Sequence, residues 1–455
     1  MVGKLQNVVL YLLIRCKQRK FLIKHKIFNA TKNILRQLKY NYFRKQKERK
    51  SCLEIHLQNA QRINKLRTAR PLRIVFLVTH RSIWKVDTIF KKMLADSCFD
   101  PKILVCPYIL HGHKHMLEEL EATVNYFVDK SYPVVSSLDP DGSWLQLENL
   151  EPDLLLFTNP NDITIPEYYM KAYSRYPSIY VPYYFMATKH AGPSWIEYSR
   201  PFYSSMWRIY WPHTTAYKEF STLALVPEVK THVYGYPAVE DIYCQKMELN
   251  HLKVEDLERK LLIIYAPHHS IERSENSIST FLENAEIMKD LAIRYKESIH
   301  WVFKPHPMLR QKLYNHPLWG VDKTDKYFEF WDKNNFSKVC EGEYEELFLK
   351  SDAMIHDCSS FLVEYLFVDK PCLYLIKNSK SFTSNTNEFG QAMSTSYEFA
   401  DTEDKIVGFV ESILKNHDRR VDKNKNFENY VQKYYCEQMP SDRIVSELKQ
   451  SIIQR

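Results

Sequence analysis

Short apolar runs alternate with amphipathic stretches along the first half of the chain. The runs lack the polar alternation of half-exposed strands and are rich in β-branched residues, which is typical of buried strands in parallel sheets. Strands are predicted at residues 72–78, 101–108, 152–160 and 178–185. Between them, apolar residues at helical spacing predict helices over 84–95 and 116–130. This alternation indicates a parallel α/β sheet.

The same alternation begins again after residues 231–243. Further strands are predicted at residues 261–267, 299–309 (running into a turn), 351–357 and 370–376. Helices are predicted over 279–298 and 359–368, and a helical region begins at residue 403. We therefore expect an α/β protein in four parts, namely a helical arm over 1–70, two α/β domains over 71–244 and 245–402, and C-terminal helices over 403–455.

The composition agrees with two globular domains and an unusual arm. The chain has 455 residues, more than one hydrophobic core usually organises, and 45% of them are apolar. Its net charge of +8 comes from residues 1–50, which contain 15 Lys or Arg and one acidic residue. The rest of the chain carries 48 basic and 54 acidic side chains. Because a nucleic-acid-binding protein would be basic over its domains, no nucleic-acid partner is expected.

The basic arm favours contact with a membrane surface. The run "VVLYLLI" (8–14) is too short to span a bilayer and has no small-residue cleavage site after it. Over 21–50, apolar residues recur at helical spacing while Lys and Arg fill the other face. This pattern predicts an interfacial helix on an anionic membrane. The alternatives are a solvated basic helix or a helix docked on the protein.

The cysteines favour a reducing compartment. There are nine, none in a CxxC pair and none with histidine at zinc spacing. Several lie in apolar runs, as buried reduced thiols do, so a cytosolic location is expected.

Three polar turns follow predicted strands of the second domain. They read Pro267-His268-His269-Ser270, Lys304-Pro305-His306-Pro307 and Asp357-Cys358-Ser359-Ser360. Ligands of open parallel sheets bind beyond the carboxyl ends of the strands. A helix beginning at Ser359 would offer hydroxyl groups and free N–H groups to an anion such as phosphate, although either serine can also serve simply as an N-cap. Functional roles are expected for His306 and for one of His268 and His269, with His268 favoured.

These turns resemble those of the CDP-glycerol glycerophosphotransferases, the family of teichoic-acid and capsule polymerases and primases. The resemblance covers 231–376 and rests on Pro305-His306-Pro307, Asp357-Cys358-Ser359-Ser360, Glu364 and Lys370-Pro371. It implies a GT-B fold, in which two Rossmann-like domains face each other across a cleft and the nucleotide donor binds the C-terminal one. It also implies a peripheral position on the cytoplasmic face of the cell membrane, where lipid- or polymer-linked acceptors lie.

The polar turns of the second domain contain no acidic DxD-type pair of the kind that binds a metal diphosphate, so a metal-independent phosphotransfer without a cofactor is predicted. The donor would be CDP-glycerol or another nucleotide-linked alditol, and CMP would leave when an acceptor hydroxyl attacks the distal phosphorus. Ser359 and Ser360 would hold the diphosphate, and Lys304 and His306 would neutralise CMP. The remaining expected site residues are His268 in catalysis, His269 beside it, Asp357 as the group that orients the turn, and Glu364 on a ribose hydroxyl.

The first domain departs from the family pattern. The family commonly has a His-Gly-Thr element that is thought to supply the catalytic base, whereas the comparable strand end here reads "VPYYFMATKH" (181–190). The "HGHKH" stretch (111–115) is an alternative source of the base, or a solvated turn. Two other functions therefore stay open: a GT-B glycosyltransferase that uses a nucleotide sugar, and a non-catalytic membrane-associated scaffold.

Overall fold

The protein is described by a computed structural model. It describes residues 43–66, 70–189, 198, 200–227, 229–249, 259–272, 277–416 and 424–453. The described chain begins with helix α1 (43–65). Buried residues on one stripe of α1 pack it against the first domain, and they are Cys52, Ile55, Asn59 and Ile63. For this part of the arm the docked alternative holds, while the predicted membrane helix before residue 43 lies outside the described residues.

The first domain contains a parallel sheet with the strand order β3-β2-β1-β4-β5-β6-β7. Its strands are β1 (Leu72–Val78), β2 (Phe99–Val105), β3 (Val134–Ser136), β4 (Leu154–Phe157), β5 (Ser178–Tyr180), β6 (Arg208–Trp211) and β7 (Thr231–Val233). Its helices are α2 (Asp87–Ala95), α3 (His113–Asp129), α4 (Met170–Arg175), α5 (Pro201–Ser205), α6 (Thr214–Leu223) and α7 (Glu240–Leu249). Apolar clusters fill both faces of the sheet.

The second domain contains a parallel sheet with the strand order β10-β9-β8-β11-β12-β13. Its strands are β8 (Leu261–Ala266), β9 (Ile299–Phe303), β10 (Ser337–Val339), β11 (Ala353–His356), β12 (Cys372–Leu375) and β13 (Glu398–Ala400). Its helices are α8 (Phe281–Arg294), α9 (Leu309–Tyr314), α10 (Gly320–Lys333), α11 (Glu345–Lys350), α12 (Phe361–Glu364), α13 (Ser379–Asn385), α14 (Glu388–Met393) and α15 (Glu403–Lys415). A 3-10 turn, Tyr365–Val368, continues α12.

The predicted alternation of strands and helices is confirmed, with corrections at several ends. The strand predicted over 178–185 stops at Tyr180, and the chain that follows, from Pro182 on, leads to the loop that contacts the second domain. The helix predicted over 359–368 is a single α-turn followed by a 3-10 turn. The short strands β3, β6, β7, β10 and β13 were not predicted.

The C-terminal helices connect the two domains. Helix α16 (Lys425–Tyr434) packs in the apolar cluster of the second sheet, whereas α17 (Pro440–Leu448) lies on the first domain. There the carboxylate of Glu447 pairs with the Arg208 guanidinium at 3.1 Å and accepts from the Tyr210 hydroxyl at 2.5 Å. These contacts fix the end of the chain against strand β6.

Loops of the two domains also meet directly. Thr188 pairs with Thr386 in an isolated antiparallel bridge, and the Asn387 amide donates to the carbonyl of Met186 at 2.7 Å. On another side, Tyr126 of α3 and Lys130, the residue after this helix, both reach the carboxylate of Glu343 at 2.7 Å. The carboxyl edges of the two sheets therefore face each other across a cleft.

None of the helices in the described ranges has the length and apolarity that crossing a membrane requires.

Candidate active site

The three polar turns lie side by side at the carboxyl edge of the second sheet. Their strands β9, β8 and β11 are neighbours in the sheet order. The turn 267–270 follows β8, the turn 304–307 follows β9 and the turn 357–360 follows β11. The topology thus brings together the residues that the sequence analysis singled out.

His268, His269 and His306 form a compact, half-buried cluster. The ring centroid of His306 is 5.2 Å from that of His268 and 4.2 Å from that of His269. The rings of His268 and His269 are 4.3 Å apart. All three side chains can therefore reach one bound group.

Backbone hydrogen bonds fix the tautomers of two of these rings. Nδ1 of His268 accepts from the N–H of Ser270 at 3.2 Å, and Nδ1 of His306 accepts from the N–H of Met308 at 3.2 Å. A nitrogen that accepts an N–H carries no proton, so in each neutral ring the proton lies on Nε2. His268 and His306 therefore offer Nε2–H donors.

Burial keeps the imidazoles neutral. It lowers the pKa of His269 to about 4, and it lowers the pKa of His268 and His306 well below 6.5, with the neighbouring histidines as the next cause. Burial therefore opposes the expected role of His306 as a cation that neutralises phosphate, and that role stays a prediction. In the neutral form that burial favours, His306 offers an Nε2–H donor.

Lys304 is the buried cation of the site. Its side chain is 5% exposed, and burial lowers its pKa. No carboxylate lies within ion-pair distance of its ammonium group among the residues that the structure describes. Its Nζ lies 5.7 Å from the ring centroid of Tyr344. A buried ammonium without an anionic partner is costly, so this position calls for an anionic ligand.

Asp357 lies beneath the turns rather than in the cleft. It is fully buried and accepts from the N–H groups of His268 and Thr280, each at 2.5 Å. Burial raises the pKa of its carboxyl to about 6, although these hydrogen bonds oppose the increase. These bonds agree with the orienting role expected of Asp357, because its oxygens are occupied by the turn after β8 and by the chain just before α8.

Ser359 and Ser360 are half-exposed at the start of α12. Ser360 makes no side-chain capping bond to the helix, and neither hydroxyl has a partner within the described part of the chain. Both are thus available to a ligand. The preceding Cys358 is no nucleophile, because burial raises the pKa of its thiol to about 12.

Glu364 does not face the cleft. It is 1% exposed, its Oε2 accepts from the Tyr344 hydroxyl, and its Oε1 is buried without a partner among the described residues. Burial raises the pKa of its carboxyl to about 7. The predicted contact with a ribose hydroxyl is therefore corrected: the carboxyl is sealed by Tyr344 in this arrangement.

The histidine cluster could also be considered as a metal site. Each of its three histidines offers one potential ligand atom, and these atoms lie within 4.8 Å of one another. Metal ligation requires a lone pair, whereas Nε2 of His268 and of His306 holds the proton of the neutral ring. The donor set therefore fits phosphate oxygens better than a metal ion.

The first domain presents a second cluster to the cleft. After β1, His80 binds the carboxylate of Glu119 at 2.8 Å through Nε2, while its Nδ1 accepts from the N–H of Ser82. The rings of His111 and His115 lie 5.2 Å apart. The "HGHKH" stretch therefore lies at the start of α3, beside the carboxyl edge of the first sheet.

The loop after β5 has a structural role where the family's His-Gly-Thr element would lie. Carbonyls of Phe185 and Met186 accept from Nε2 of His213, whose ring stacks on Phe389 at 3.7 Å. Ala187 contacts Gly390 so closely that a Cβ on the glycine would lie 2.2 Å from the Ala187 carbonyl oxygen. This loop thus fastens the two domains together.

Sequence reasoning missed Lys85 and Tyr344, which lie beside the predicted site. Lys85 follows β1 in the first domain, and its ammonium donates to the Tyr344 hydroxyl at 2.6 Å. No motif marks either residue, because their contact joins positions 259 residues apart.

Two Rossmann-like domains that face each other across a cleft define the GT-B class. Solved structures share this fold at low sequence identity. A UDP-N-acetylglucosamine 2-epimerase has a TM-score of 0.52 and 15% identity, and covers 85% of this chain and 97% of its own. The Methanocaldococcus jannaschii UDP-GlcNAc 2-epimerase in complex with UDP-GlcNAc and UDP has a TM-score of 0.51 and 16% identity, covering 83% and 99%. A variant of the wall teichoic acid polymerase TagF has a TM-score of 0.52 and 12% identity, covering 91% and 98%.

The family model of the CDP-Glycerol:Poly(glycerophosphate) glycerophosphotransferases matches residues 213–449, which is more than half of the chain. The chain belongs to this family. Membership confirms the resemblance seen in the motifs and the class of enzyme that it implied, a CDP-glycerol glycerophosphotransferase-like transferase. No curated protein matches the sequence significantly.

Proposed function

We propose that this protein transfers glycerol phosphate, or a related alditol phosphate, from a CDP-linked donor to a hydroxyl group of a growing cell-surface polymer such as teichoic acid or capsule. The observation that carries the proposal is the buried ammonium of Lys304, which has no anionic partner in the described chain and lies at the same sheet edge as the Nε2–H donors of His268 and His306. Together they suit a diphosphate.

The donor diphosphate would rest between the three turns. Ser359 and Ser360 would donate hydroxyl hydrogen bonds to one phosphate, while Lys304 would supply the compensating charge. His306 would donate from Nε2 to the phosphate that leaves as CMP, and His268 and His269 would complete the donor set. Asp357 would act indirectly, since it holds the backbone that carries His268.

The reaction would be an in-line displacement at the distal phosphorus. The acceptor oxygen forms a new P–O bond, the bond from this phosphorus to the bridging oxygen breaks, and CMP leaves with the electron pair. Fixed N–H donors and one buried ammonium stabilise the charge that develops on the leaving phosphate. The acceptor proton needs a base, and we assign it to the histidine cluster after β2, because the loop after β5 is occupied by contacts between the domains.

The donor is tested by thermal stabilisation of the purified full-length chain. CDP-glycerol should raise the melting temperature, because a ligand that binds only the folded state stabilises it. UDP-GlcNAc and GDP-mannose are the comparison donors. Stabilisation by UDP-GlcNAc alone would instead favour the glycosyltransferase alternative. This donor is included because a solved structure with the same fold is in complex with UDP-GlcNAc.

His306→Ala tests the site itself. We expect glycerophosphate transfer to fall by about 100-fold or more, as when a donor to a developing charge is removed, with an unchanged circular dichroism spectrum. His300→Ala is the matched control, because His300 lies at the opposite end of the same strand, β9. Equal transfer rates for His306→Ala and wild type would refute the assignment. Donor binding without turnover on any acceptor would support the scaffold alternative.

We propose that the face of α1 that is not docked on the first domain lies on an anionic membrane. The outer face of α1 exposes Phe43, Leu53 and Leu57, and its N-terminal turns carry Arg44, Lys45 and Lys47. Exposed apolar side chains beside lysines and arginines suit the interface of an anionic bilayer. The full-length chain should sediment with vesicles that contain phosphatidylglycerol and not with pure phosphatidylcholine vesicles. Equal sedimentation with both would remove the electrostatic part of the proposal.

A further inference from the structure

Lys85 connects the first domain to the candidate donor site. It follows the 3-10 turn after β1, yet its Nζ lies over the Tyr344 ring, 4.3 Å from the centroid, and donates to the hydroxyl at 2.6 Å. Tyr344 belongs to the second domain and precedes α11. The side chain of Lys85 thus reaches across the cleft.

Tyr344 lies at the edge of the proposed phosphate site. Its ring centroid is 4.9 Å from that of Phe361, the residue that follows Ser360 at the start of α12. The Nζ of Lys304 lies 5.7 Å from the same ring. Two ammonium groups, one from each domain, therefore gather around one phenol beside the helix start.

Neither lysine of this group makes an ion pair within the part of the chain that the structure describes. The nearby carboxyl of Glu364 accepts from the Tyr344 hydroxyl, and burial raises its pKa to about 7. Glu345, whose carboxylate accepts from the N–H of Tyr344, is also close, but it lies on the half-exposed start of α11. Both ammonium groups are therefore without a direct carboxylate partner, among the described residues, where the two domains meet.

We propose that Lys85 is a second phosphate-binding lysine, which the first domain supplies to form a clamp with Lys304 around the donor diphosphate. The inference rests on the proposed function and extends it. Binding of the donor would then be coupled to contact between the domains, because the clamp exists only while Lys85 reaches the second domain. A group that carries two phosphates is the ligand class that such a clamp selects.

The first domain offers a matched control for this lysine. Lys130 also crosses to the second domain, where it pairs with Glu343 at 2.7 Å, next to Tyr344 in sequence. Its partner is a carboxylate, so its charge is already compensated. Lys85→Met and Lys130→Met each remove one ammonium from the contact between the domains, and both keep most of the aliphatic stem.

The test is calorimetric titration of full-length variants with CDP-glycerol and with cytidine. We expect Lys85→Met to weaken CDP-glycerol binding about tenfold or more, as the loss of one charge-assisted contact does, and to leave cytidine binding unchanged. Lys130→Met should bind both as wild type does. Lys85→Arg should recover much of the affinity, since it keeps the charge.

The outcomes separate the two proposals. If wild type does not bind CDP-glycerol, the proposed function fails. If wild type binds and Lys85→Met loses no more affinity than Lys130→Met, the clamp is overturned. Equal losses for CDP-glycerol and cytidine in Lys85→Met would also overturn it, because the effect would then be on the shape of the site and not on the phosphates.

Discussion

Glu364→Gln tests the buried carboxyl beneath Tyr344. Burial raises the pKa of Glu364 from its usual 4.5 to about 7. The folded protein therefore retains a proton that the unfolded chain releases between these values. The stabilising effect is complete below pH 4.5 and is lost as the pH rises through about 7. At 1.36 kcal/mol for each pKa unit, this difference in pKa corresponds to about 3 kcal/mol.

Urea unfolding of wild type and Glu364→Gln at several pH values between 5 and 8 measures this effect. The amide cannot titrate, so the stability of wild type relative to the variant should fall by about 2–3 kcal/mol over this range. Other buried carboxyls, such as Glu240 with a pKa of about 7, titrate in both proteins and cancel in the comparison. Parallel pH profiles for the two proteins would show that Glu364 has an ordinary pKa and that the reasoning from burial is wrong.

Two further predictions concern stability. Gly390→Ala should destabilise the protein by about 1–3 kcal/mol, because the new Cβ meets the Ala187 carbonyl oxygen, whereas Gly408→Ala in the exposed interior of α15 should stabilise it by about 0.5–1 kcal/mol. Chemical denaturation of both variants checks this, and similar effects for the two would contradict it. Hydrogen bonds and the Arg208 charge lower the pKa of Glu447 to about 2, so its contribution is present above pH 4.5 and lost as the pH falls through 2. Glu447→Gln should therefore lose less stability than wild type between pH 5 and pH 2, measured by urea unfolding, and an identical acid profile would exclude this role.

The sequence was sufficient to predict the parallel domains and the three turns, because long buried runs and strand-end histidines are local features. Strands of three residues, such as Val134–Ser136 and Glu398–Ala400, were missed, because so few residues show no periodicity. They exist only because neighbouring strands supply their hydrogen bonds.

The roles of individual side chains were less predictable than their positions. Glu364 was placed correctly at the start of a helix, but its burial depends on Tyr344, which arrives from a separate loop. The neutral state of His306 depends on surrounding side chains that no motif encodes. The contact of Lys85 with the second domain follows from how two separate folding units meet, and so it required the structure.

The position of helix α17 has a consequence for how this protein is made. Ile444, Val445 and Leu448 complete an apolar cluster that includes Ile74 of β1 and Phe90 of α2. These two elements are among the first of the domain to leave the ribosome. Part of the apolar surface of that domain stays uncovered until about two hundred further residues have been translated. Truncated versions that stop before Pro440 should consequently aggregate or bind chaperones, even though every strand of both sheets would be present.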